Sequence, residues 1–306
     1  MSAPPQVLFD VPGPKAILRD KIYTVVFTAV IVGVLAAVGY AAFTRGIFDD
    51  RWQVLWDPQK GGQTAADVWH SLLVRGLLEG TLQAVVITVP IVAVTATILV
   101  IARSSAYRLM HAIAYVFTHI FRGIPVLLVM YFGVIALGVS PLVAVVLGLS
   151  VYNTAVVAEI LRAGIAALPS GQREAGLSLG LRPLSVLLRI QLPQAVRIML
   201  PALVSQIVVL LKDTSLGFII AYYELLTVTK NNYNYFGEQT TVVFVLVVAV
   251  IYILVNMAVS RLAHWLEGRM SRTRTSVGPG AAPTVPPGGV AAVGIGANTR
   301  TGGEYM

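Results

Sequence analysis

The residues of this 306-residue sequence whose types and spacing could do chemistry are charges set among apolar neighbours. Lys212 and Asp213, followed by Thr214 and Ser215, fall inside an otherwise apolar run. An ionisable group at such depth costs a few kcal/mol on insertion scales, which makes each one a functional hypothesis. Lys212 could meet the carboxylate of a small solute, and the two hydroxyls could donate hydrogen bonds to it. Adjacent helix positions point ~100° apart, so Lys212 and Asp213 are expected to face different neighbours; the plain alternative is an ion pair between helices. Glu159 and Arg162 are three residues apart, share one helix face and can pair. Near the end of their helix, they read as a stabilising pair or gate before a binding site. Arg122, in "FRGIP", precedes a Gly and a Pro that loosen a helix. It either pairs with Glu159 or lines a path.

Bond-making chemistry finds little here. There is no cysteine, so disulfides, thiolate catalysis and Cys-based metal sites are excluded. The four histidines, His70, His111, His119 and His264, have no ligand spacing, and no metal site is expected. No carboxylate pair sits at a useful spacing. No G-x-x-x-x-G-K-[ST] loop occurs, so ATP is not expected to be bound by this chain. The expectation is a path or a transducer that is not an enzyme.

The elements that must position these charges are membrane helices. The chain is 57% hydrophobic and 12% charged, with a mean hydropathy of +0.79, against about 25% charged in a soluble domain. Six apolar segments approach the ~20 residues needed to cross the hydrocarbon core: 22–44, 78–101, 111–136, 141–161, 198–222 and 241–264. The first is too long for a signal-peptide core and is read as retained. The fold class is an all-α integral membrane protein with six transmembrane helices.

The net charge of +8 is explained by where the basic residues lie, and implies no nucleic-acid partner. Lys15, Arg19 and Lys21 precede the first span, and Arg103, Arg108 and His111 follow the second. Arg162, Arg173, Arg182, Arg189 and Arg197 fill the connection after the fourth, while Arg261, Arg269, Arg272 and Arg274 accompany the sixth. The alternate connections are mixed or uncharged. Positive residues mark the cytoplasmic side, so both termini and the 162–197 loop are expected there. The expected units are a cytoplasmic start (1–21), a first helix (22–44), an extracytoplasmic loop (45–77), a core (76–266) and a disordered cytoplasmic tail (267–306). Trp52, Trp56 and Trp69 place the 45–77 loop partly along the outer interface. The tail is rich in Gly and Pro and cannot bury enough surface to offset ordering.

One polar stretch, "REAGLSLGLRPLSVLLRIQLPQAV" (173–196), needs its own account. Its punctuation predicts two short helices. The first runs over 171–179 with Ser170 as N-cap and Gly180 as the left-handed stop. The second opens at Pro183. A first helix ~13 Å long is not stable alone and needs a surface to rest on.

The spacing Glu174-Ala175-Gly176, three residues, Gly180, nine residues, Ile190-x-Leu192-Pro193 resembles the "EAA" loop of bacterial ABC-importer permeases. Gly176 is the one departure, where that family usually has a second Ala. "AVVAEILRAGIAALPSGQREAGLSLG" (155–180), "FRGIPVLLVMYF" (121–132), "GLLEGTLQA" (76–84) and "LLKDTSLGFII" (210–220) are similar to the polar amino-acid subfamily. "VLFDVPGPKA" (7–16) is similar to actinobacterial glutamate-uptake permeases. The resemblance covers about 76–266 and implies a five-helix importer core with one added N-terminal helix, in a bacterial plasma membrane. It implies that 173–196 is a coupling helix seated in a cytoplasmic ATPase dimer, which binds the ATP. It also implies a second permease subunit, related more than identical to this chain, and an extracytoplasmic binding protein that delivers a polar amino acid, glutamate favoured. The alternative is an ion-gradient-driven transporter or channel, which leaves the patterned elbow unexplained.

Overall fold

The computed structural model describes residues 13–44, 46–48, 50–58 and 60–271. Long helices dominate, with no strand among the described residues. In chain order they are α1 (Pro14–Thr44), α2 (Ala65–Arg103), α3 (Arg108–Gly123), α4 (Val126–Ile135) and α5 (Pro141–Ala166). Then come α6 (Ser170–Ser178), α7 (183–198), α8 (Leu200–Ile220), α9 (Leu225–Phe236) and α10 (Thr241–Ser271). Among the described residues, five helices are long and apolar enough to cross a membrane, or six spans result if the bent pair α3 and α4 makes one.

Three boundaries differ from the sequence expectation for local reasons. The 45–77 segment is not a loop throughout. Thr64 caps a helix: its Oγ1 accepts from the Asp67 N–H at 3.4 Å, while Asp67 Oδ2 accepts from the Thr64 N–H at 2.8 Å. This reciprocal box starts α2 at Ala65. Two of the three indoles tie the segment to its own backbone, Trp69 Nε1 donating to Leu55 O at 3.0 Å and Trp52 Nε1 to Ile47 O at 2.8 Å, while Trp56 is exposed. At the other end, α10 runs as helix to Ser271, so 267–271 is not part of an unstructured tail; 272–306 lies outside the described residues. The 111–136 span is broken, with α3 and α4 meeting at 97° across Ile124 and Pro125. Proline at 125 pushes Ile124 out of the α region, and its φ, ψ of −85°, 128° are extended.

Small residues set the packing. A Cβ on Gly148 would stand 2.5 Å from Met130 Cγ, and one on Gly133 3.1 Å from Ala144 Cβ, so α4 and α5 nearly touch. Ala84, Val85, Met130, Ala144, Val145, Leu149, Leu210 and Leu211 fill the space where α2, α4, α5 and α8 meet. A second core joins the start of α2 to α9 and α10 through Leu72, Leu225, Val228, Phe244 and Val248. A third, smaller one, Ala96, Val100, Ala158 and Leu161, closes the ends of α2 and α5 nearest α6. α1 buries none of its residues against this bundle.

Candidate functional site: an exposed elbow backed by a charge cluster

The elbow forms as its punctuation requires. α6 ends in paired bonds, Gly180 N–H to Leu177 O at 2.9 Å and Leu181 N–H to Gly176 O at 3.2 Å. Gly180 has φ +77°, the left-handed residue of a Schellman stop. Pro183 opens α7. Within α7 the turn Leu187–Gln191 widens to π geometry just before Pro193. A proline ring collides with the carbonyl four residues back, and a wider turn relieves that collision. The expected N-cap is corrected: Pro169 holds that position, Ser170 is already helical, and no side chain caps α6.

Gly176 is buried, and a Cβ there would meet Val186 Cγ2 at 2.9 Å and Ile190 Cδ1 at 3.4 Å. The departure from alanine at this position is thus where the two elbow helices cross. The opposite surface is open. Glu174 and Ala175 are exposed, and so are Leu177, Leu179, Leu181, Leu184 and Leu188. Leu179 is 82% exposed, unusual for a leucine on a polar segment. Behind the elbow, Leu192 and Val196 pack onto the third core, and a Cβ on Gly164 of α5 would stand 2.6 Å from Met199 Cγ and 3.2 Å from Ala195 O. The elbow therefore bears directly on the helix that carries Glu159.

Glu159 is the centre of a charge cluster. Its Oε2 accepts from Arg103 Nη1 at 2.9 Å, and its Oε1 from Arg162 Nη2 at 2.6 Å. The Glu159–Arg162 pair matches the expected spacing. The cross-helix partner is Arg103, from the end of α2, and not Arg122, which makes no ion pair with Glu159. Arg103 also lies over the Tyr115 ring at 5.4 Å, and its carbonyl sits 2.6 Å from His111 Nδ1. With 11% of its side chain exposed, Arg103 ties α2, α3 and α5 together.

The other grouping lies farther along. Lys212 is about 18 Å up α8 from Leu200 at 1.5 Å per residue, where the helix tightens to 3₁₀ over Thr214–Ile220. Lys212 and Asp213 do face each other, with Nζ to Oδ1 at 3.8 Å, contrary to the expectation that they diverge. A long lysine stem bends across the ~100° between neighbours. The Lys212 side chain is 60% exposed and Asp213 21%. Thr214 is fully buried and donates to Leu211 O at 2.6 Å, while Ser215 donates to Lys212 O at 2.6 Å. Of this group Lys212 alone is exposed.

Two polar sites were not anticipated. Asn153 is fully buried; its Oδ1 accepts from Gln206 Nε2 at 2.7 Å, and its Nδ2 donates to Leu149 O. The pair forms a polar corner of a cavity of about 240 Å³, lined for the rest by Thr97 and apolar side chains such as Val92, Val157 and Leu210. Buried amides in an apolar span were the readable signal. The second is Glu224, the N-cap of α9, which is fully buried. Burial pushes its carboxyl above the usual range, against the Leu226 and Thr227 N–H groups that draw it down. In the sequence it looks like a loop acid.

Residues 98–272 match the family described as the binding-protein-dependent transport system inner membrane component. The chain belongs to that family. It is a multi-pass membrane permease subunit of an ABC transport system, not an enzyme. It is 37% identical over 231 residues to the glutamate transport system permease protein GluD of Corynebacterium glutamicum, covering 72% of this chain and 81% of that one. It is 31% identical to the glutamate/aspartate import permease GltK of Escherichia coli O6:H1, covering 66% of this chain and 97% of that one. Among solved structures, an amino acid ABC transporter superposes with a TM-score of 0.58 at 26% identity, over 67% of this chain and 97% of that chain. The MetNI methionine transporter, at 20% identity and a TM-score of 0.50 over 63% of this chain and 95% of that one, shares the fold. The family match leaves α1 outside it.

Proposed function

We propose that this permease imports a polar amino acid, glutamate favoured, driven by ATP hydrolysis on a separate cytoplasmic ATPase dimer. The observation that carries the coupling is the exposed elbow of α6 and α7. Its open leucines and Glu174 offer a docking surface, while its back bears on α5 at Gly164. Glu174, Ala175 and Gly176 form the inserted helix, Gly180 turns it, and Ile190, Leu192 and Pro193 brace it. A push on the elbow passes through its contact at Gly164 to α5, the helix that carries Glu159.

In this reading the elbow and both termini are cytoplasmic. A second, related permease subunit completes the path, and an extracytoplasmic binding protein delivers the cargo. Lys212 is the group that meets a cargo carboxylate, with Asp213 holding it between passages. Ser215 lies beside them, and Thr214 shapes the turn from within. Glu159 and Arg122 flank the inner exit. The glutamate assignment is supported by the likeness to GluD and GltK.

The test is capture of the tagged chain from mild detergent, wild type against Glu174→Arg, with uptake of labelled glutamate in the same cells. A nucleotide-binding subunit recovered with wild type and lost with Glu174→Arg, together with loss of uptake, is the expected result. Recovery of no ATPase with cross-linked wild type would sink the reading.

A further inference from the structure

The polar groups around Glu224 have no part in the proposed elbow or exit. Yet they hold together the segment that follows Lys212. Thr214–Ile220 is 3₁₀, and Ala221 then takes φ 59°, ψ 28°, a left-handed conformation that alanine adopts only under constraint. The constraint comes from three sides. Glu224 Oε1 accepts from the Leu226 and Thr227 N–H groups at 2.9 and 3.0 Å, fixing the start of α9. Glu224 Oε2 accepts from the Tyr252 hydroxyl of α10 at 3.1 Å. The Tyr222 hydroxyl donates to Gly80 O of α2 at 2.9 Å, and Gly80 lies so close that a Cβ would stand 2.6 Å from Tyr223 O. Thr227 Oγ1 donates to Tyr222 O at 2.6 Å and closes the corner on itself.

A buried carboxylate without a cation is retained only where its hydrogen bonds are needed, since leaving it unpaired costs far more than a neutral group would. The helix cap alone would be served by Ser, Thr, Asp or Asn. What the longer glutamate adds is reach to Tyr252. We propose that Glu224 is a positioning residue: its bridge from the α9 N-terminus to Tyr252 of α10 clamps the strained Ala221 corner, and so fixes the 3₁₀ segment that follows Lys212. Its link to cargo handling rests on the import reading above; the clamp itself does not.

The chain has no cysteine, so single reporters can be placed in it. Ile220→Cys, buried beside the corner, reports local opening, and Ala96→Cys, in the separate third core, reports general loosening. Thiol labelling is followed on the full chain in native membranes of cells producing it with its partner subunits. Glu224→Ala and Tyr252→Phe should each speed labelling at Ile220→Cys roughly tenfold or more, the scale of one lost hydrogen bond to a charged group. Labelling at Ala96→Cys should not change. Glu224→Gln keeps the acceptor for the two N–H groups and a polar partner for Tyr252, and should stay near wild type. Equal rates in all variants would overturn the clamp. So would equal acceleration at both reporters, or a Glu224→Gln rate matching Glu224→Ala. Glutamate uptake is measured on the same cells: wild type without uptake counts against the import reading and leaves the labelling comparison intact.

Discussion

Gly176 and Val186 stand so close that a Cβ added to the glycine would come within 2.9 Å of Val186 Cγ2. Valine is β-branched and stiff, so it gives little. Alanine at 176 gains up to ~1 kcal/mol of helix preference and loses a similar amount to crowding. Gly176→Ala is therefore expected to keep ATPase capture near wild type. Gly176→Leu should force the two elbow helices apart and abolish capture, while α-helical content measured by circular dichroism stays unchanged.

The charge cluster predicts an asymmetry between two arginines that share one carboxylate. Arg103 is mostly buried and Arg162 is 45% exposed. Removing Arg103 takes the buried partner from Glu159 and leaves it only Arg162, and an exposed pair is worth about 0–1 kcal/mol. Arg103→Met is expected to lower the thermal midpoint of the detergent-solubilised chain clearly more than Arg162→Met. A double-mutant cycle through Glu159→Gln should assign the larger coupling to Arg103.

Gly80 makes the tightest backbone approach in the α9 corner, 2.6 Å from Tyr223 O and 2.7 Å from Glu224 Cα for an added Cβ. Both neighbours are main chain and cannot rotate away. Gly80→Ala is expected to destabilise by about 1–3 kcal/mol or more. Gly133→Ala, whose Cβ would sit 3.1 Å from a side-chain methyl, should cost less. Thermal unfolding of the two variants side by side gives the comparison.

Burial raises the Glu224 carboxyl, so the folded chain binds its proton more tightly than the unfolded chain does. For an acid shifted upward, stability falls as pH rises from the unfolded value, about 4.3, through the folded one. Wild type should thus gain thermal stability relative to Glu224→Gln on acidification from neutral pH. A constant difference between the two melting curves across pH would show that Glu224 keeps its ordinary acidity.

Lys212 is expected to matter for cargo and little for stability, since its pair with Asp213 spans 3.8 Å and is 60% exposed on the lysine side. Lys212→Gln should raise the half-saturation concentration for glutamate uptake about tenfold, the loss of one charged hydrogen bond. Unchanged half-saturation with unchanged expression would remove Lys212 from the path.

Period and punctuation carried much of this fold. Uninterrupted apolar runs placed the spans, and Gly180 and Pro183 placed the elbow turn, because a left-handed stop and a helix start each demand a particular residue type. What could not be read was partnership across the bundle. Arg103 looks like one more basic residue of a connection, and nothing local says that it reaches Glu159 from another helix. Glu224 looks hydrated because the segment before it seems to leave the apolar run, when in fact 3₁₀ turns fold it back inside. The break at Pro125 was visible as a weakness, but its 97° angle was not.

That break has a consequence for solvent. At 1.5 Å per residue α3 and α4 are about 24 and 15 Å long, each short of a ~30 Å hydrocarbon layer. Neither half crosses such a layer by itself, so any crossing made by the pair has the corner at Ile124 inside it. A helix end leaves its last carbonyls without intrahelical donors, and Pro125 has no N–H to offer. Lipid cannot satisfy those oxygens, and open backbone at that depth persists only where protein covers it or water reaches it. Gly123 has open space where a side chain would be, and Arg122 beside it is exposed. A crossing built this way carries its open backbone at the corner, beside an exposed arginine.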